Sequence, residues 1–325
     1  MKSPYEVWGD NLIEIDWFTS LHPSLGHSRR STISNRGSNV PEIDDLIRYD
    51  RPDIILLRDN KPVLVIEKTR EVPTGHNVGQ RMARLVRAAE SSVPVIKYFP
   101  FDALKHGRYA SMCHMNARLL AAFASMQRIH NVPVLAVNWP HDADGELVTD
   151  GSEDDQIRSL LLDFFQNDCA KHWPAAHAIN ESMLHEYKTR VSEHAAYSSL
   201  PPSVQIVRTR SLAQHTGLSG ASSEWKRLEA VANSVVYAIG MTEDKCRRED
   251  PFTGSQFIYD YLECRNGPRV ENKSKNLVLW FPHVSKRRFI EANPNDPSRK
   301  SSNWYLTANA MAFSDQVMIL RECQS

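Results

Sequence analysis

Two consecutive apolar segments joined by a short polar turn are the feature of this chain that most limits its fold. The segments read DIILL and PVLVIE, and the turn between them reads RDNK. Each segment is short and aliphatic, so the pair predicts a β-hairpin with strands over 53–58 and 62–69. In such a hairpin Asp53, at the start of the first strand, lies close to Glu67, near the end of the second.

The composition is that of a globular protein. The 325 residues are 41% hydrophobic and 24% charged, which suits one large domain or two ordinary ones. Lys plus Arg and Asp plus Glu each number 39, so a nucleic-acid partner would have to be held by a local basic patch. No apolar run approaches the roughly 20 residues that span a bilayer, and the N-terminal residues lack a signal-peptide pattern. Together with five scattered cysteines, these features favour a cytoplasmic location and no membrane partner.

The hydrophobic pattern of residues 1–145 predicts an α/β fold, with a mixed β-sheet flanked by helices. A hairpin followed by alternating helices and strands is typical of a sheet with both antiparallel and parallel neighbours. Besides the hairpin, the predicted elements are a helix over 5–20, a polar loop over 22–41, a helix over 77–90, a strand over 93–99, a helix over 110–129 and a strand over 132–137.

Residues 146–325 are expected to form a C-terminal α+β extension that grips a substrate or mediates dimerisation. The pattern here is weaker than in the first half. It predicts helices near 156–167, 171–200 and 223–241, and strands over 204–208, 257–263, 276–281 and 316–321.

The carboxylates of Asp53 and Glu67 are candidate metal ligands. Hard cations such as Mg²⁺ prefer oxygen ligands and keep several waters, which a phosphate can displace. Asp45, or Asp44 beside it, precedes the hairpin and is a candidate for holding a second ion. The simpler alternative is that Asp53 begins its strand after a proline for reasons of turn geometry, and that Glu67 is a solvated strand end.

The order Pro52-Asp53, thirteen residues, then Glu67-Lys68-Thr69 resembles the active-site motif of the PD-(D/E)xK nuclease superfamily, which includes many type II restriction endonucleases. The resemblance covers residues 40–140, about a third of the chain. It includes the order of elements: an acidic helix, the hairpin, a basic helix and further strands.

One position departs from that motif. The superfamily usually has a lysine two residues after the second acid, where this chain has Thr69, and Lys68 is adjacent to the acid instead. Side chains alternate along a strand, so Lys68 points away from the face of Glu67. The resemblance makes Lys68 and Thr69 candidate catalytic residues: Thr69 replaces the lysine, or a bulge turns Lys68 inward, or Arg70 or Arg81 supplies the charge.

The resemblance implies a restriction-endonuclease-like core that hydrolyses phosphodiester bonds of double-stranded DNA. Asp53 and Glu67 would hold Mg²⁺, with Mn²⁺ as a substitute, and the ion would lower the pKa of the attacking water. Cutting both strands of a palindrome implies a homodimer. The candidate nucleic-acid-binding residues are Arg29, Arg30, Arg81, Arg84, Arg87, Lys286, Arg287 and Arg288.

Two alternatives to a DNA endonuclease stay open on the sequence. The missing lysine at position 69 favours a catalytically inactive nucleic-acid-binding or interaction protein with a degenerate nuclease fold. Cleavage of RNA instead of DNA is the other.

Overall fold

The chain folds into two compact units. The first comprises residues 1–74 and 84–198, and the second comprises residues 75–83 and 199–325. The computed structural model describes residues 3–73, 82–104, 112–115, 117–193, 204–238, 243, 275–292 and 308–321. The division therefore falls later than the predicted boundary at residue 145, because two helices that follow that boundary pack within the first unit.

The first unit is built on a six-stranded mixed β-sheet. Its strands stand in the order β2-β1-β3-β4-β5-β8, and β1, β3 and β4 are antiparallel neighbours, while the other neighbours are parallel. A separate two-stranded ribbon consists of β6 and β7. The strands are β1 (Tyr5–Gly9), β2 (Arg29–Thr32), β3 (Ile54–Arg58), β4 (Lys61–Lys68), β5 (Val95–Phe99), β6 (Asp102–Leu104), β7 (Met112–His114) and β8 (Val134–Asn138).

The predicted hairpin is confirmed by the antiparallel pairing of β3 with β4. Asp59 and Asn60 turn the chain between them with positive φ angles of 50° and 63°. Two successive positive φ angles match the right-handed twist of a hairpin, and Asn and Asp tolerate them better than most residues. The α/β class with a mixed sheet flanked by helices is likewise confirmed.

Within the described residues, six α-helices belong to the first unit, and they correct two predictions. The predicted helix over 5–20 is wrong for its first part, where Tyr5–Gly9 form β1 and pair with β3. The predicted helix over 110–129 begins only at Arg118, because Met112–His114 pair with Asp102–Leu104. The helices are α1 (Leu12–Ser20), α2 (Pro41–Leu46), α3 (Met82–Glu90), α4 (Arg118–His130), α5 (Asp155–Gln166) and α6 (Pro174–Glu193). The first residues of the predicted helix over 77–90 lie outside the described part of the chain.

The second unit has its own five-stranded sheet, in the order β13-β12-β11-β10-β9. The three central strands are parallel, and each edge strand is antiparallel to its neighbour. Its elements are β9 (Val204–Arg208), α7 (Leu212–Thr216), α8 (Ser222–Lys226), β10 (Asn233–Ala238), β11 (Asn276–Trp280), α9 (Lys286–Ala292), β12 (Ala310–Ala312) and β13 (Val317–Ile319).

The predictions for the second unit were partly correct. The strands expected over 204–208, 276–281 and 316–321 are confirmed by β9, β11 and β13. The helix expected over 223–241 is wrong for its second half, because residues 233–238 form the strand β10 between two partners. The strand expected over 257–263 lies outside the described residues. Among the residues that are described, no helix combines the length and the apolar character needed to cross a membrane.

A stack of three aromatic rings joins α1, β5 and the end of β8 on one face of the first sheet. The ring of Tyr98 lies between Trp17, at a centroid distance of 5.8 Å, and Trp139, at 5.0 Å. The Tyr98 hydroxyl donates a hydrogen bond of 2.6 Å to the carboxylate of Asp154, and the Trp17 indole N–H donates one of 2.9 Å to its other oxygen. The stack therefore fixes this face through both packing and buried hydrogen bonds.

We expect Tyr98→Phe to destabilise the protein by about 1–3 kcal/mol, because it leaves a buried carboxylate oxygen without its donor. Tyr5→Phe is the matched control, since the Tyr5 hydroxyl has only a 3.6 Å contact with the Cys169 sulfur. Its cost should be less than about 1 kcal/mol. Urea unfolding measures both, and equal costs for the two variants would contradict this account of the stack.

Candidate functional site

The two motif acids lie side by side at one end of the β3–β4 hairpin. The pairing of Ile54 with Ile66 places Asp53 and Glu67 next to each other, one residue further along. One carboxylate oxygen of Asp53 accepts a hydrogen bond of 2.7 Å from the backbone N–H of Lys68. Asp53 is 5% exposed and Glu67 is fully buried. The two acids therefore converge within the first unit, away from solvent.

The cationic group between these acids is the guanidinium of Arg84, from α3. Its Nη1 atom lies 2.8 Å and 2.7 Å from the two carboxylate oxygens of Glu67 and 3.8 Å from Oδ1 of Asp53. Its Nε atom donates to Oδ2 of Asp50 at 2.8 Å. The Arg84 side chain is 1% exposed, so this candidate nucleic-acid-binding residue faces the acid cluster and not the solvent in this structure.

The single positive charge of Arg84 does not balance the carboxylates that surround it. Three carboxylates, those of Asp50, Asp53 and Glu67, contact one guanidinium. Burial raises the pKa of the Asp50 carboxyl to about 6, although the nearby Arg84 charge and its hydrogen bond act in the other direction. For Arg84 itself, burial opposes the charged form, but the fields of Glu67 and Asp50 raise its pKa above the ordinary value.

Asp50 is a site residue that the sequence reasoning missed. It is buried and lies in the segment just before β3, where it also accepts a hydrogen bond of 2.7 Å from the N–H of Arg51. The only signal available in the sequence was its position three residues before Asp53, since Asp50 belongs to no periodic pattern.

Lys97 is the second residue that was missed. It is paired in register with Glu67 on the neighbouring parallel strand β5, and it is 1% exposed. Residues in register on adjacent strands face the same side of a sheet, so Lys97 faces the side of Glu67. Its Nζ atom lies 5.2 Å from the centroid of the Phe99 ring. The available signal was a single lysine within the apolar segment VPVIKYF.

Lys68 lies on the opposite face of β4, as strand alternation predicts. Its Nζ atom is 3.2 Å from a carboxylate oxygen of Glu14 and 4.1 Å from the centroid of the Trp17 ring. The irregularity in the β3–β4 pairing falls between Leu56 and Leu57, so it does not turn Lys68 toward Glu67. The structure therefore does not bring the ammonium of Lys68 to the two acids.

Thr69 shares the face of Glu67 and is 6% exposed. Its backbone N–H donates to the carbonyl of Tyr98 at 3.0 Å, and its hydroxyl accepts from the N–H of Glu71 at 3.2 Å. The hydroxyl therefore holds the chain after β4, and it carries no charge. Arg70 is exposed, and Arg81 lies outside the described residues.

Asp45 does not join the acid cluster. On α2, its carboxylate pairs with the guanidinium of Arg87, whose Nε atom also donates to the Asp45 carbonyl at 3.0 Å. Burial lowers the pKa of Arg87, but the hydrogen bond with Asp45 and the charge of that carboxylate raise it above the ordinary value. The expectation that Asp45 helps to hold a metal ion beside Asp53 and Glu67 therefore corresponds to no contact in this structure, because Arg87 binds both its oxygens.

Four of the other predicted basic residues form ion pairs at the surface, and the fifth, Lys286, has a backbone hydrogen bond. On β2, Arg29 pairs with Glu6, and Arg30 pairs with Asp16 at 2.6 Å. On α9, both Arg287 and Arg288 lie near Glu291, at 2.9 Å and 4.0 Å. The backbone N–H of Lys286 donates to Asp315 at 2.9 Å. The residues that follow α9, 293–307, lie outside the described part of the chain.

Within the described residues, no group of three or more His, Cys, Asp or Glu side chains is arranged to hold a metal ion. The acids at the hairpin end are close to one another, but here they surround a guanidinium. No protein family, curated protein or solved structure matches the chain. The function must therefore be argued from this site itself.

We expect Asp50→Asn to remove one component of the pH dependence of stability. The Asp50 pKa is about 6 in the folded protein, above its ordinary value of 3.8. Protonation of Asp50 therefore favours the folded state, and this stabilisation is fully present below about pH 4 and is lost as the pH rises through 6.

Chemical denaturation between pH 4 and 8 measures this effect, since carboxyl groups common to both proteins largely cancel in the difference. The stability of the wild type relative to Asp50→Asn should fall as the pH rises. A difference that does not change with pH would show that the Asp50 carboxyl is not perturbed by its burial.

Proposed function

We propose that this protein is a Mg²⁺-dependent DNA endonuclease whose metal ligands are Asp53 and Glu67. The observation that carries the proposal is the convergence of these two buried carboxylates on a single cationic group at the end of the hairpin. Asp50, which contacts the same group, adds a third carboxylate to the cluster.

The order of elements in the first unit supports this proposal. The short acidic helix α2 precedes the hairpin that carries the acids, and α3, with its arginines, follows it. The chain then returns to the sheet as β5, parallel to β4. This order agrees with the order of elements that the resemblance to the PD-(D/E)xK superfamily implies, and the agreement supports the proposal.

The donor set at this site fits a divalent cation in its chemistry. Carboxylate oxygens are the ligands that Mg²⁺ prefers, and three of these groups against one guanidinium leave an excess of negative charge. Asp50, whose pKa is raised by burial, belongs to the same group of carboxylates. Binding requires one rearrangement: Arg84 must release Glu67, because it now contacts both oxygens of that carboxylate.

Each side chain has a definite task under this proposal. The Lys68 backbone N–H holds Asp53 in place, so one of its oxygens is fixed before any ion arrives. When bound, Mg²⁺ would lower the pKa of a water and stabilise the charge that develops on the phosphate. Arg84, once released from Glu67, presents a planar fork of donors that suits two phosphate oxygens.

DNA would be bound by surface arginines that leave their carboxylate partners and pair with phosphates instead. Arg29 and Arg30 on β2 are 64% and 41% exposed, and the ion pairs that such exposed arginines now form with Glu6 and Asp16 contribute little to stability. Transferring them to phosphates would therefore cost little, and it would make binding salt-dependent. Double-strand cleavage of a palindrome would require a second copy of the site, and we propose a homodimer for that reason.

The second candidate is a catalytically inactive protein that uses a degenerate nuclease fold for binding. The observation in its favour is the ion pair between Arg84 and Glu67, two side chains that are at most 1% exposed. A buried pair with both carboxylate oxygens engaged is the usual form of a structural ion pair. In this candidate, Arg84 never leaves Glu67 and the site holds no metal.

Cleavage of supercoiled plasmid DNA in the presence of Mg²⁺ or Mn²⁺ separates the two candidates. We expect the wild type to nick or cut the plasmid, and EDTA to abolish the reaction. Asp53→Asn and Glu67→Gln should each reduce the rate by a factor of about 10² or more, because a ligand of the ion is lost. Asp45→Asn is the matched control, since Asp45 pairs with Arg87 outside the cluster, and it should leave cleavage nearly unchanged.

A structured RNA in a parallel reaction tests which nucleic acid is the substrate. Cleavage of RNA alone would replace DNA in the proposal and retain the site. Cleavage that survives both Asp53→Asn and EDTA would overturn the assignment of the site. If the protein binds DNA but cleaves no nucleic acid in any of these reactions, the inactive candidate is favoured.

A further inference from the structure

Lys97 lies in the same row of side chains across the sheet as the two acids, on the strand next to that of Glu67. In that row, Asp53 precedes β3, Glu67 lies on β4 and Lys97 on β5. Neighbouring strands are about 4.8 Å apart, and a lysine side chain is longer than that spacing. The Lys97 ammonium is therefore within reach of the carboxylate cluster on the same side of the sheet.

The burial of Lys97 requires an explanation in terms of charge. A lysine that is 1% exposed loses the hydration of its ammonium, which is costly unless anionic groups or an aromatic face replace the water. The contact of its Nζ atom with the Phe99 ring, at 5.2 Å, supplies part of the replacement. The carboxylates of Asp53 and Glu67, next to Lys97 across the sheet, are the nearby anionic groups that can supply the rest.

The other basic groups near the motif are not placed for this task. Lys68 lies on the opposite face with Glu14 and Trp17, and Thr69 carries no amine. Arg84 becomes available to a phosphate only after it leaves Glu67, and its Nε atom also binds Asp50. Lys97, on the neighbouring strand β5, is a buried amine on the same face of the sheet as Glu67.

We infer that Lys97 supplies, from β5, the positive charge that this site lacks at position 69, and that its ammonium stabilises the phosphate during hydrolysis. This inference rests on the proposed function. In the reaction, a bond forms between the water oxygen and phosphorus, the bond from phosphorus to the leaving oxygen breaks, and protons from the water balance the products. Lys97 stays protonated and transfers no proton.

The first test measures Mn²⁺ binding by titration calorimetry, without any nucleic acid. Lys97→Met removes a positive charge beside the acids, so Mn²⁺ should bind more tightly, on the order of tenfold. Lys68→Met is the matched control on the opposite face, and its Mn²⁺ affinity should stay within about twofold of the wild type. Lys97→Gln is a second variant for the case in which the methionine variant does not fold.

The second test measures plasmid cleavage at saturating Mn²⁺. Lys97→Met should reduce the rate by a factor of about 10² or more, since a charge near the transition state is lost. A variant that is only misfolded would lose both metal binding and cleavage, whereas the inference expects these two quantities to change in opposite directions. Thr69→Lys added to Lys97→Met places an amine on the same face from β4, and it should restore at least a tenth of the lost activity.

The outcomes separate this inference from the proposed function. If the wild type cleaves and Lys97→Met cleaves equally well, the role of Lys97 is overturned and the nuclease assignment survives. Unchanged or weaker Mn²⁺ binding in a folded Lys97 variant would also overturn it. If the wild type cleaves no nucleic acid, both the proposed function and this inference fail.

Discussion

The contact of one guanidinium with three carboxylates is the interaction on which the first unit depends. Arg84 joins α3 to Glu67 on β4, and to Asp50 and Asp53 in the segment that leads into β3. All four side chains are at most 7% exposed, so losing one charge would leave the others buried without compensation. Breaking such a cluster typically costs about 3–5 kcal/mol. The same contact therefore fixes the position of the helix and the geometry of the acids.

The same interaction also decides between the two candidate functions. A cation held at Asp53 and Glu67 must replace the guanidinium of Arg84 at Glu67. The affinity for metal therefore depends on how much more strongly the carboxylates attract the metal ion than Glu67 attracts Arg84. The third carboxylate, that of Asp50, favours the exchange, because it adds negative charge beside Arg84. Lys97 opposes it, since a second positive charge faces the same side of β4.

Local patterns predicted the hairpin, but the surroundings of its acids depend on residues that are distant in sequence. Alternation along the strand correctly assigned Lys68 to the face opposite Glu67. Arg84 lies off the apolar stripe of its helix, and helical periodicity does not reveal that it forms a buried ion pair. The sequence does not single out Lys97, because this residue lies beside Glu67 only when β5 pairs with β4. The strand Tyr5–Gly9 is likewise hidden in the sequence, because its partner strand begins 45 residues later, at Ile54.

Anomalous X-ray scattering from crystals grown or soaked with Mn²⁺ tests most directly whether the carboxylates accept a metal ion. The account predicts a single strong anomalous peak bonded to oxygens of Asp53 and Glu67, with the guanidinium of Arg84 moved away from Glu67. An empty site at saturating Mn²⁺, with Arg84 still bound to both oxygens of Glu67, would contradict it.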